Sequence, residues 1–485
     1  MYTILHISDL HRSRTTPVSN EELLSSVTAD CSRFQNENPK IAIPNAVVIS
    51  GDIISGLPLN SPDYPSDLEN QYLLSFEFLK RLCDTFVEGD RSKVIIVPGN
   101  HDVDWNKAYG AMEETEIRGE NVRELLSLPN TPYRWSWNNR RLYAIRNYDV
   151  YEERFEYFCK FYHRFYDGAK VAFKLDPRQI WNRFELDNGH ILVCAFNSCV
   201  SSDCFNPSGE IPASAIAQSH LADSGDPKIK IAVWHHDIEG NPKRSDYLDP
   251  DTLQVLIDRG YRIGLHGHRH KADSLPVFLR ATPEKHSMVV IGAGSLCADP
   301  SQLPHGLNRQ YNVIEISDDY SRCRIHVREM NVPGIFSAGR IVSLGGASFA
   351  DSEWTPVPSD RLTYIGRGSS PDITVMEHIE NLILSEKYDD AITEMNAKPS
   401  RLGRYGRELL SEALFKGKKW SEVKKHLSEP QNADELTKLM FAIIKLKDWD
   451  DGDKVLAVAE NQAGFSSTLI KELRNRLNIE RGMSK

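Results

Sequence analysis

Five short apolar runs along this chain end directly in polar residues: YTILHISDLH at 2–11, AVVISGD at 46–52, KVIIVPGNHD at 93–102, KIAVWHHD at 230–237 and YRIGLHGHRH at 261–270. Runs of that length and composition predict buried strands, each presenting side chains at its carboxyl end. Between the first three lie NEELLSSVTADCSRF at 20–34 and ENQYLLSFEFLKRLCDTF at 69–86, whose apolar spacing predicts helices. The early order is therefore β-α-β-α-β, which implies sheet layers with helices outside. In such folds ligands collect at the carboxyl ends of the strands, where all five polar clusters fall.

The pattern changes from Asp104 to Arg183, and residues 133–166 hold 13 aromatics, far above the chain average of 9%. This region predicts a mainly helical insertion. Strand character resumes at FELDNGHILVCAFNSC (184–199), with Asp187, Asn188 and Gly189 as a hairpin turn. SMVVIGAGSLC, QYNVIEISDD and SRCRIHVREM, within 287–330, predict a closing run of strands. A Gly/Ser-rich stretch after Pro333 reads as a linker or irregular bridge, and the remainder as helical. There Tyr388, Trp420 and Trp449 open similar aromatic, polar, apolar patterns at intervals of about 30 residues, close to the tetratricopeptide period. An ordinary helical bundle is the other reading of that tail. The expected organisation is a catalytic domain over 1–335 with residues 104–183 as a cap, a linker over 336–370 and a helical domain over 371–485.

At 485 residues, with 26% charged and 40% hydrophobic positions, the chain has ordinary globular composition. A formal charge of -10 argues against a surface that coats nucleic acid throughout, while leaving room for a local basic groove. No basic leader with a long apolar run opens the sequence, and no window approaches about 18 uninterrupted apolar residues, so neither a signal peptide nor a membrane span is expected. The eight cysteines lack CxxC spacing, which predicts free thiols in a reducing cytoplasm.

The chemistry lies in the ordered set Asp9-x-His11, Gly51-Asp52, Gly99-Asn100-His101-Asp102, His235-His236 and Gly267-His268-x-His270. A single strand-end histidine is more often satisfied by a backbone carbonyl than by a metal. Five such blocks in one chain are a different matter, and together they resemble the calcineurin-like metallophosphoesterase superfamily over roughly the first 335 residues. The resemblance implies a four-layer α/β/β/α sandwich and two divalent ions, Mn²⁺ foremost, with Fe, Zn²⁺ or Ni²⁺ as alternatives. Imidazole and carboxylate or amide oxygen donors suit such ions. One ion would take Asp9, His11, Asp52 and His270, and the other Asp52, Asn100, His235 and His268, with Asp52 bridging. Two ions about 3.5–4 Å apart clamp a phosphoryl group and lower the pKa of a shared water toward a hydroxide nucleophile.

By the same resemblance His101 is the histidine that binds phosphate oxygens and protonates the leaving alkoxide, and Asp102 orients or charges its ring. Asn100 joins it in contacting substrate. Adjacent strand residues face opposite ways, so only one of His235 and His236 can reach the metals; the resemblance favours His235. His6 and His266 read as structural. Gly51-Asp52 is followed by Ile53, Ile54 and Ser55, so the second Asp and the Arg of the protein-phosphatase GDxVDRG block are missing. The expected function is a phosphodiesterase of nuclease type on nucleotides or nucleic acids. A phosphomonoesterase and a regulatory protein recruited through its tail are the alternatives.

Two readings of the insertion stand side by side. Its aromatics and Arg134, Arg140, Arg141, Arg146 and Arg164 can stack bases and meet phosphates, or they can form a packed structural cap. The tail offers a surface for a protein partner or for self-association. Its lysine run, Lys416, Lys418, Lys419, Lys424 and Lys425, reads as a solvated helix face.

Overall fold

The computed structural model describes residues 1–16, 18–116, 122–126, 131–169, 181–221, 227–240, 246–278, 287–354, 378–379, 382–383, 385, 387–397, 403–430, 433–460 and 467–483. The chain divides into two compact units, Met1–Val277 with Ser287–Pro356, and Phe278–His286 with Val357–Lys485.

The larger unit contains two mixed sheets. In chain order its first elements are β1 (Tyr2–Ile7), α1 (Asn20–Cys31), β2 (Ala46–Ser50), α2 (Ser66–Phe86) and β3 (Val94–Val97). Strands β1, β2 and β3 lie parallel, as the β-α-β-α-β reading expects. Helix α1 starts at a Ser19 capping box, in which Ser19 and Glu22 satisfy each other's free backbone donors. The insertion follows as α3 (Trp105–Gly110), β4 (Met112–Thr115), α4 (Val122–Leu126), β5 (Tyr133–Ser136), β6 (Arg141–Ile145), α5 (Tyr148–Glu152) and α6 (Glu156–Tyr166). Helices are the largest share of its described residues, but β4, β6 and β5 also form a small antiparallel sheet that the hydrophobic pattern did not reveal.

The chain then builds β7 (Trp181–Leu186), β8 (Ile191–Phe196), α7 (Ala213–Leu221), β9 (Ile229–Val233), α8 (Pro250–Asp258), β10 (Tyr261–His266), β11 (Asp273–Phe278) and β12 (Ser287–Gly292). These six strands make the second sheet, in the order β11-β12-β10-β9-β8-β7. Strands β13 (Gln310–Ile316), β14 (Arg322–Val332), β15 (Ile335–Ala338) and β16 (Phe349–Glu353) return to the first sheet. There β13 runs antiparallel to β1, and both β15 and β16 pair with β14. The stretch expected to be a linker thus begins as sheet edge; its part from 355 to 370 lies outside the described residues.

Helices α1, α2 and α6 cover the first sheet, α7 and α8 the second, and one apolar core runs between the sheets, giving the α/β/β/α order. The aromatics of α6 are mostly core: Phe158, Phe161, Tyr162, Phe165 and Tyr166 are all buried, against α2 and the first sheet. That decides the structural reading for this helix. Arg134 is likewise buried, pairing with Asp203 at 2.6 Å, and Arg164 lies over the Phe76 ring at 4.2 Å. Arg141 and Arg146 face Glu114 and Glu113.

The smaller unit is helical over Tyr388–Ala397, Gly403–Lys416, Trp420–His426, Ala433–Leu446, Trp449–Glu460 and Ser467–Met483. All eight cysteines are free thiols, and among the described residues no helix is long and apolar enough to cross a membrane.

Candidate metal centre

Each apolar strand delivers its polar block where the two sheets meet at their carboxyl ends. Asp9 and His11 follow β1, Asp52 follows β2, Asn100 and His101 follow β3, His235 follows β9, and His268 and His270 follow β10. The loops are stitched to one another: Asp9 N donates to Gly51 O, His11 N to Asp52 O, and Gly267 N to His235 O, all at 3.0–3.1 Å. The Asp9 carboxylate accepts from His268 N at 3.1 Å, and Asp52 Oδ1 accepts from His101 N at 2.9 Å. Few side chains could occupy the tight points. A Cβ on Gly99 would collide with Asp52, and Gly51, at φ +93°, backs onto the His235 ring.

The donors fall into two groups joined by Asp52. In the first, His270 Nε2 lies 3.4 Å from Asp9 Oδ1 and 2.9 Å from His11 Nε2, and His11 Nε2 lies 3.7 Å from Asp52 Oδ2. In the second, His235 Nε2 lies 3.3 Å from Asp52 Oδ2 and 3.1 Å from Asn100 Oδ1, which is 3.0 Å from His268 Nδ1. His236 stays off both groups, sharing Ser198 Oγ at 2.9 Å, as the alternation of strand faces demands. His6 bonds Ser50 Oγ, and His266 stacks against Trp234.

Whether cations suit these groups can be judged from the hydrogen bonds behind them. His235 Nδ1 meets Ser50 O at 2.8 Å and His270 Nδ1 meets Gln302 O at 2.9 Å. A carbonyl only accepts, so both Nδ1 atoms carry a proton and both Nε2 atoms, the positions a cation would take, point inward. They converge on other acceptors: carboxylates, an amide oxygen and further imidazoles. Lone pairs gathered this way are satisfied by positive charge between them, and His/Asp/Asn donor sets are those that divalent transition ions take.

The electrostatics divide the four imidazoles. Burial, the largest influence, lowers His235 and His270, but Asp52 outweighs it and pushes His235 up to about 9, and Asp9 outweighs it and raises His270, so these two rings draw positive charge in beside the carboxylates. Burial, the largest influence, pulls His11 down to about 3 and His268 to about 4, so both are neutral ligands near pH 7. Burial pushes Asp9 upward, but the charge and hydrogen bond of His270 outweigh it and hold the carboxyl at about 2.

Backbone strain marks the same residues. Asp9, His11, Asp52, His268 and His270 all have positive φ, between 42° and 76°. Left-handed conformations in non-glycine residues cost about 1–3 kcal/mol each and persist where the surroundings enforce them.

Two findings revise the expected roles. Asp102 does not touch the His101 ring: its Oδ2 accepts from Gly99 N at 2.8 Å and Ile53 N at 3.2 Å, tying the turn after β3 to the turn after β2. The ring is held by Ser55, whose carbonyl takes His101 Nδ1 at 2.7 Å. A turn three residues long leaves the Asp102 side chain pointing back at its own backbone. Burial, and then the nearby Asp52, raise its carboxyl to about 7. Ser198, unremarked in the sequence, accepts from His235 N at 3.1 Å and His236 N at 3.3 Å. Its signal was present, since ILVCAFNS is another apolar run ending in polar residues.

The profile of the family described as Calcineurin-like phosphoesterase matches residues 2–272. Similar solved structures include a purple acid phosphatase from yellow lupin (Lupinus luteus) seeds, 12% identical, with a TM-score of 0.41, covering 75% of this chain and 55% of that one. GAP50, the anchor in the inner membrane complex of Plasmodium, is 10% identical, with a TM-score of 0.35 and coverage of 73% and 89%. A putative 5'-nucleotidase from Staphylococcus aureus is 12% identical, with a TM-score of 0.31 and coverage of 65% and 51%. The chain thus spans about half the length of the lupin and staphylococcal proteins. No curated protein matches the sequence.

Proposed function

Because the chain belongs to the calcineurin-like phosphoesterase family, whose members are hydrolases of phosphate esters with a dinuclear metal site, we propose that it is a phosphodiesterase acting on nucleotide or nucleic-acid diesters. The observation that carries this reading is the charge around the donors. A monoester brings a dianion and a diester a monoanion, so a monoesterase gains more from fixed cations beside the metals. Here the residues after Asp52 are Ile53 and Ile54, both fully buried and apolar. Among the described residues Arg12, next to His11, turns away to Val18 O, Arg269, between His268 and His270, faces Asp237, and Lys107 pairs with Glu153.

Asp9, His11, Asp52 and His270 would hold one ion and Asp52, Asn100, His235 and His268 the other, Mn²⁺ foremost; the pair would supply Lewis-acid polarisation of the phosphoryl group and a water of lowered pKa. The Ser55 carbonyl takes the Nδ1 proton of His101 and leaves Nε2 facing away; with a proton on each ring nitrogen, the imidazolium would donate from Nε2 to a phosphate oxygen and give that proton to the departing alkoxide, becoming the neutral Nδ1–H ring. Asn100 orients the ester through its amide. Asp102 keeps the two turns in register and acts through His101 and Asp52 rather than on the substrate.

His101→Ala should keep both metals by elemental analysis and lower turnover roughly 10²–10⁴-fold. Unchanged turnover would remove His101 from the chemistry. The function itself is tested with Mn²⁺-reconstituted protein on bis-p-nitrophenyl phosphate, p-nitrophenyl phosphate, single- and double-stranded DNA, RNA and cyclic nucleotides. Diesters should be the better substrates. A preference for p-nitrophenyl phosphate would make the protein a phosphomonoesterase, and inactivity on all with metals bound would leave the regulatory reading.

The helical tail fits a tetratricopeptide-like array that docks a protein partner or a second copy. In its support, the six helices pack as consecutive pairs, and Tyr388, Trp420 and Trp449 each stand first in the leading helix of a pair. The catalytic domain over 1–335, the helical domain over 371–485 and a cytoplasmic setting for the free thiols complete the proposal.

A further inference from the structure

Most of the insertion's aromatics are spent on packing, so few can meet a substrate. Trp137 and Tyr148 are exposed, in the turn between β5 and β6 and at the start of α5. Trp105 differs. It begins α3, four residues after His101, and its ring centre lies 6.3 Å from that of His101 with the planes 34° apart. The indole is half-buried rather than enclosed, and it rests on a small apolar cluster of Val103, Phe155 and Cys199.

The support beneath it is firm. Asp104 caps α3 by accepting from Asn106 N and Lys107 N, and Tyr64 holds the other oxygen of the same carboxylate at 2.9 Å. Asn106 in turn bridges to the loop after β2, through Asn60 N at 2.9 Å and Pro58 O at 3.3 Å. A wide aromatic surface is therefore fixed beside the residue that meets the ester oxygen. His11 stands on another side of the His101 ring, at 4.8 Å and nearly perpendicular.

We infer that Trp105 forms a subsite for a planar ring, on which the nucleobase of a nucleotide ester stacks while its phosphate lies over the metals. This deepens the phosphodiesterase reading and rests on it, by naming the side chain that would recognise the base of such an ester. A base on an aromatic platform gains affinity whatever its identity, because every base has a π-face. The subsite thus favours nucleotides over sugar phosphates without selecting one base.

The test is calorimetric binding of adenosine 5'-monophosphate and ribose 5-phosphate to the Mn²⁺-reconstituted full chain, compared among wild type, Trp105→Leu and Trp105→Phe. Leucine keeps the apolar contact with Val103 and Phe155 and removes the ring; phenylalanine restores it. In Trp105→Leu the nucleotide should weaken roughly tenfold while ribose 5-phosphate stays within about twofold, and Trp105→Phe should recover most of the difference. Equal weakening of both ligands would reduce Trp105 to a packing residue. An unchanged nucleotide affinity, or a wild type that does not favour the nucleotide over ribose 5-phosphate, would also overturn the subsite. Failure of the parent reading shows separately, as absence of diester turnover by wild type.

Discussion

Asp52→Ala should lower kcat/KM on bis-p-nitrophenyl phosphate by about 10³-fold or more and bring the bound metal below two ions per chain. No other side chain is shared between the two donor groups. Its Oδ2 lies 3.7 Å from His11 Nε2 and 3.3 Å from His235 Nε2, while Oδ1 accepts from His101 N. On the proposed assignment, one substitution would thus remove a ligand from each ion and the anchor of the His101 backbone. Burial pushes the Asp52 carboxyl upward, but the charges of His235, His101 and His11 outweigh it, so the variant gives up favourable pairing along with the metals and should be less stable while still folded. Circular dichroism of the variant checks this, and Asp52→Asn separates charge from shape. Retention of more than about a tenth of wild-type kcat/KM, a loss of under 1.4 kcal/mol in transition-state stabilisation, would end the bridging role.

The largest effect on stability is expected far from the metals, at Arg328→Met. Arg328 on β14 makes a two-pronged bond to Asp30 on α1, at 2.8 and 2.7 Å, and both groups are buried. Tyr311 and Arg33 donate to the same carboxylate. This set pins the first helix to the sheet on which β1 and its ligands sit. Removing one partner of a buried pair costs about 3–5 kcal/mol when the remaining charge is left uncompensated, and because Arg33 and Tyr311 still reach Asp30 the loss should fall at the lower end of that range.

The pH dependence has a definite sign. Burial pushes the Asp30 carboxyl upward, but its bonds to Arg328, Tyr311 and Arg33 outweigh that and hold it below the usual carboxylate value. A depressed carboxylate stabilises the fold above the unfolded pKa of about 3.9 and loses that contribution as pH falls through the folded value. The wild type should therefore weaken below about pH 4, and the gap to Arg328→Met should narrow there. Denaturant unfolding at pH 7 and in that acid range measures both. The double variant Asp30→Leu with Arg328→Met should recover much of the loss, since an apolar pair replaces an ion pair at little cost. A full-sized penalty in the double variant would mean that shape rather than charge is at stake.

The convergence of the residues of the candidate metal centre was legible because each follows a buried strand, where an apolar run meets a polar residue. Strand register then carries the side chains to one place without further instruction. The supporting atoms were not legible in the same way. Ser50, Ser55 and Gln302 act through backbone carbonyls, which every residue possesses, so no side-chain pattern marks them. Asp102 was misread because proximity in sequence to His101 stood in for contact, and a tight turn sends the two side chains apart. Edge strands hid for another reason. Every position of β16 is exposed or half-buried, so it lacks the apolar alternation that betrays a strand. The aromatic wealth of the insertion had two readings in composition alone; burial assigned α6 to the core and left Trp105 beside the site.

The central claim, that these seven side chains hold two catalytic ions, is tested most directly by elemental analysis of purified protein after chelation and Mn²⁺ reconstitution, paired with diester turnover of the same samples. Two ions per chain in the wild type are expected, with turnover lost on chelation and restored with the second ion. Turnover that persists in fully chelated protein, or reconstituted protein that binds no metal, would contradict the account.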